Sequence, residues 1–177
     1  MKPLFTLAAL ILSATLAVGQ NNLFIPFGQS KSEVRSYLNT RDYITQIVED
    51  TEMQSLRAEL DTKKSVEYAF KNGNLYATSV TRNYPDKKIA KDIQKNVLDY
   101  MDYISRGALQ QNNQDGITAY TVVVDSRVIK LFVQPHSSST TLTLTSISRE
   151  FMPEGADQDF MYETELLKKL QKSYISN

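Results

Sequence analysis

The chain has 177 residues, 20 basic and 20 acidic side chains, one histidine and no cysteine. Zero formal net charge argues against non-specific nucleic-acid binding and an electrostatic membrane anchor, both of which rest on clustered positive charge. Without cysteine there is no disulfide, thiolate nucleophile or cysteine metal site, so stability must come from a hydrophobic core.

Residues 1–19 read as a secretory signal peptide. Lys2 supplies the positive charge, a mostly apolar run from Leu4 to Val18 follows, and Ala17 and Gly19 give a small-residue cut before Gln20. The run is short of the ~20 residues that span a bilayer as a helix. The expected product is a single α+β domain over 20–177, periplasmic or extracellular, with no stable membrane insertion.

A lead-in over 20–27 places Phe24, Ile25 and Phe27 around Pro26. Ser30 and Glu33 have capping-box spacing, and Val34, Tyr37 and Leu38 continue as the apolar stripe of a helix of about nine residues. Residues 43–48 are rich in β-branched side chains and predict a strand. Residues 53–60 fit either a strand or a helix, with strand preferred.

A hairpin over 65–81 turns at Asn72-Gly73, both tolerant of the positive φ of a type I′ turn. That register pairs Phe70 with Leu75, Tyr68 with Ala77 and Val66 with Ser79 on a buried face. Glu67 and Thr78 go to a wetter face, as does Tyr76.

Residues 85–106 predict the longest helix. Pro85 sits in its first turn, Gly107 stops it, and Ile89, Ile93, Val97, Tyr100, Met101 and Ile104 form its stripe. Its polar face is mixed in sign and reads as solvated. Residues 108–116 read as a polar loop. Residues 117–124 and 127–133 form a second hairpin across Asp125-Ser126, with Val122 opposite Ile129 and Val123 opposite Val128. A further strand covers 140–148, where Ile147 is out of phase with Leu142 and Leu144 and predicts a bulge or twist near Ser146. A closing helix over 158–174 has acids first and lysines last, complementing the helix dipole.

The predicted architecture is α+β. Helices pack on one face of an antiparallel sheet in the order α-β-β-β-β-α-β-β-β-α, with two helix-plus-meander halves as the alternative.

Catalytic signals are sparse. His136 is followed by Ser137, Ser138 and Ser139, but a triad is assembled from distant segments and no G-x-S-x-G elbow exists. A zinc site usually needs several His or Cys ligands. The acids at 49–52 and 154–159 lack the alternating pattern of a calcium loop. No cofactor, metal or catalytic residue is assigned. Tyr76, Tyr100 and Tyr103 are the candidate contact residues, because tyrosine offers binding area at low entropy cost.

The run Gly28-Gln29-Ser30-Lys31-Ser32-Glu33-Val34 through Leu38, followed by Glu67-Tyr68-Ala69-Phe70-Lys71-Asn72-Gly73, resembles the small envelope domains grouped with the outer-membrane-assembly lipoproteins and the β-lactamase-inhibitor-like fold. That resemblance covers about fifty residues and implies helices on an antiparallel sheet and a protein-binding role. The chain departs from the assembly lipoproteins in having no lipid-accepting cysteine and no Gly-x-Pro after the first helix, so only architecture is carried over. The expected function is an exported, non-enzymatic binding or adaptor protein whose partner is an envelope or extracellular protein. The alternatives are a small hydrolase using His136 or a carboxylate pair, and a carrier of lipids or small ligands.

Overall fold

A computed structural model describes residues 25–52 and 54–151. The proposed signal peptide over 1–19, the cut before Gln20 and the helix over 158–174 lie outside these residues.

The first helix, α1, runs Lys31–Asn39 and begins as its sequence dictates: the Ser30 hydroxyl accepts from the Glu33 N–H at 3.3 Å, and the Glu33 carboxylate accepts from the Ser30 N–H at 2.7 Å. Four strands follow: β1 (Gln46–Asp50), β2 (Ser55–Asp61), β3 (Lys64–Lys71) and β4 (Asn74–Tyr84). The second helix, α2, covers Lys87–Ser105 and spans about 28 Å. Asp86 caps its start by accepting from the N–H groups of Lys88 and Ile89, and Arg106 ends it in the left-handed conformation. The remaining strands are β5 (Gln110–Gln114), β6 (Ile117–Val124), β7 (Arg127–Pro135) and β8 (Thr140–Ser148).

All eight strands form one antiparallel sheet in the order β1-β2-β3-β4-β8-β7-β6-β5. Two meanders, β1 to β4 and β5 to β8, meet where β4 pairs with β8.

The expected α+β architecture of helices packed on one sheet face is therefore corrected. The described chain is mostly sheet, with eight strands and two helices, and is closer to a β-sandwich or barrel-like sheet. Strands supply most of the core, including Leu56, Val66, Tyr68, Leu75, Val122, Leu131, Leu142 and Leu144, while α1 and α2 add Val34, Leu38, Ala90, Val97 and Met101. Consecutive residues of β3, β7 and β8 are buried, so both faces of these strands are covered.

Three local expectations change with it. The hairpin keeps the Phe70–Leu75 pair, but an irregularity beside it shifts the register. Tyr68 then faces Thr78 rather than Ala77, and Val66 faces Val80 rather than Ser79. The extra residue is Tyr76, which is turned into a second apolar cluster with Ala69, Ala77, Val128 and Ile147 and is 8 % exposed. Strand β8 pairs with β4 and β7 in unbroken register through Ser146, so Ile147 is out of phase because it packs on the other face, against Val128. Residues 110–114, expected as loop, form strand β5.

Candidate binding surface

The sheet ends in two strands of opposite character. At one end, β1 carries Glu49, which is hydrogen-bonded to Lys31 at 3.1 Å and ion-paired with Arg35, both on α1. Asp50 and Glu52 add further charge beside it. Charge on an edge strand discourages pairing with another chain.

At the other end, β5 is Gln110-Gln111-Asn112-Asn113-Gln114, without a charge or a proline. It pairs with β6 from Gln110–Thr121 to Gln114–Ile117, and four of its five residues are exposed. In an edge strand, alternate N–H and C=O groups point away from the sheet and stay available to a further strand. Of the three large apolar side chains exposed among the described residues, one is on β6, the partner of β5, and one precedes β5 in the chain. Val123, 53 % exposed, follows Thr121 on the same side of β6, and Tyr103, 79 % exposed, lies on the last turn of α2 before the chain enters β5.

The turn into β6 explains why an amide-rich segment becomes a strand. Asp115 and Gly116 have φ of +50° and +78°, the signature of a two-residue hairpin turn. That Asp-Gly pair was the available signal for β5. The low β-propensity of Gln and Asn concealed it.

The three candidate tyrosines are not brought together. Tyr76 is buried in the second apolar cluster. Tyr100 packs half-buried against the main core, and burial pushes its hydroxyl pKa up. Of the three, Tyr103 alone is exposed, on the last turn of α2.

His136 lies exposed in the turn between β7 and β8, where its backbone N–H donates to the Ser139 carbonyl at 2.9 Å. Its ring nitrogen Nε2 is 3.2 Å from the Thr141 hydroxyl, and Ser137 offers its carbonyl to the Lys87 ammonium at 2.9 Å. Among the described residues no group of three or more His, Cys, Asp or Glu side chains could hold a metal ion.

The face opposite the main core holds a second polar arrangement. Ser79 and Thr145 share a hydrogen bond at 3.0 Å, as do Thr81 and Thr143, tying β4 to β8. Lys130, 4 % exposed, stands across from Thr145. Further along, Glu67 on β3 faces Arg57 on β2, whose Nε lies 2.7 Å from the Glu59 carboxylate. Burial pushes the Glu67 carboxyl up to about 7, against the lowering effects of the Ser55 hydroxyl and the Arg57 charge. These groups answer one another across strands and hold the sheet together.

No protein-family model matches the chain, and neither the curated proteins nor the solved structures contain a significant match.

Proposed function

We propose that this chain is an exported, non-enzymatic binding protein of the cell envelope that takes an extended polypeptide segment onto the outer edge of β5. The observation that carries the reading is the contrast between the two sheet edges, β1 guarded by charge and β5 uncharged and exposed. Main-chain hydrogen bonds would give the affinity. The placement of His136 in a solvated turn favours binding over hydrolysis.

A panel of unstructured peptides, titrated against the chain by fluorescence anisotropy, tests this. Gln111→Pro and Asn112→Pro are both made, because neighbouring N–H groups in a strand point to opposite sides. One of the two blocks the open edge while leaving the bonds to β6 intact. The expected result is that this variant loses peptide binding with an unchanged far-ultraviolet circular dichroism spectrum, while Val48→Pro on β1 retains it. Equal binding by the wild type and both β5 variants contradicts the reading.

A further inference from the structure

We infer that residues 152–177 fold back over the sheet face opposite α1 and α2, seating an apolar helical stripe on β7 and β8.

That face is buried although neither helix lies on it. Strand register puts Ser65 and Glu67 of β3, Thr143 and Thr145 of β8 and Lys130 of β7 on it together. Each is 9 % exposed or less, and Lys130 only 4 %. Neighbours in a ladder flank such side chains but leave their tips open, so a lysine is buried there only beneath a further layer. Among the described residues the helices do not supply that layer. Val34 and Leu38 of α1, and Ala90, Val97 and Met101 of α2, all pack in the main core, on the other face.

The course of the chain names the occupant. Phe151, the last described residue, packs against the second apolar cluster of Ala69, Tyr76, Ala77, Val128 and Ile147, on this same face. Ile25, the first, is buried in the main core. The segment that continues from the second face is therefore the carboxy-terminal one. In it Phe160, Leu167, Leu170 and Tyr174 recur at helical spacing and make one apolar stripe. A helix over 158–174 measures about 25 Å at 1.5 Å per residue. The four strands β3, β4, β8 and β7 span about 15 Å at ~4.8 Å per step. The stripe is long enough to cover the buried row from Glu67 to Lys130.

Two measurements on the full chain test this. A benzophenone photo-crosslinker placed at Leu170 should link, within one molecule, to β7 or β8, as mapped by mass spectrometry. Links to α1 or α2, links only between molecules, or no link at all would overturn the inference. Acetylation of lysine amines reads the cover itself. Lys130 should react slowly beside the exposed Lys95 of α2. Leu167→Asp combined with Leu170→Asp should speed Lys130 by about tenfold. Lys64, buried on the α1 and α2 side of β3, should stay slow and so report an intact fold. Unchanged protection of Lys130 means that another part of the chain covers it, and overturns the inference. If both lysines become reactive the variant has unfolded, and the crosslink in the otherwise unaltered chain decides.

Discussion

Tyr68 and Thr78 lie directly opposite each other in β3 and β4, both buried, with the Thr78 hydroxyl finding no hydrogen-bond partner among the described residues. The hydroxyl gives up water and gains nothing in return. Valine has the same shape without the polar atom. Thr78→Val should therefore stabilise the fold by about 1 kcal/mol. Urea denaturation of the two proteins measures it, and a less stable variant would mean that the hydroxyl has a partner.

Glu67 makes stability depend on pH. Its folded pKa of about 7 stands above the usual 4.5, so the folded state holds its proton more tightly than the unfolded state does. The associated stability is fully present below pH 4.5 and is lost as pH rises to 7. The gap between the two values corresponds to about 3 kcal/mol. Glu67→Gln keeps a polar group near Ser55 but cannot ionise. It should match the wild type at pH 4 and exceed it at pH 8, as read from urea midpoints. Parallel pH profiles would show that Glu67 ionises as easily in the fold as outside it.

Gly28 tests the lead-in. Its φ is +87°, its N–H donates to the Leu75 carbonyl at 2.9 Å, and an added Cβ would stand 3.0 Å from the Phe151 ring. Gly116 has a similar φ of +78° but open space around it. Gly28→Ala and Gly116→Ala should both lower the melting temperature through backbone strain of about 1 kcal/mol or more. Gly28→Ala should lower it further, because the Phe151 ring must also shift. Equal losses would mean that the ring yields freely.

Local chemistry made much of this fold legible in the sequence. The Ser30–Glu33 cap, the stripe of α2 from Ile93 to Ile104 and the Val122–Ile129 pair all stand where spacing places them. What escaped reading depends on distant partners. Thr143 and Thr145 are buried against hydroxyls 62 and 66 residues away, and nothing in their local sequence names those partners. The Tyr76 irregularity moves a register that Asn72-Gly73 alone would set differently. Ile89 follows the helical period but is 51 % exposed, while Ala90 beside it is buried. The binding edge was hidden for another reason. Its amides have the composition of a loop, and only the Asp115-Gly116 turn and the pairing with β6 make them a strand.

Hydrogen–deuterium exchange of the chain with and without a bound extended peptide probes the edge most directly. The outward N–H groups of residues 110–114 should exchange rapidly in the monomer and slow at least tenfold on binding, the equivalent of about 1.4 kcal/mol of protection. Residues 46–50, on the guarded edge, should be unchanged. Protection that falls on β1 or on α2, with β5 unaltered, would contradict a function exerted through the open strand.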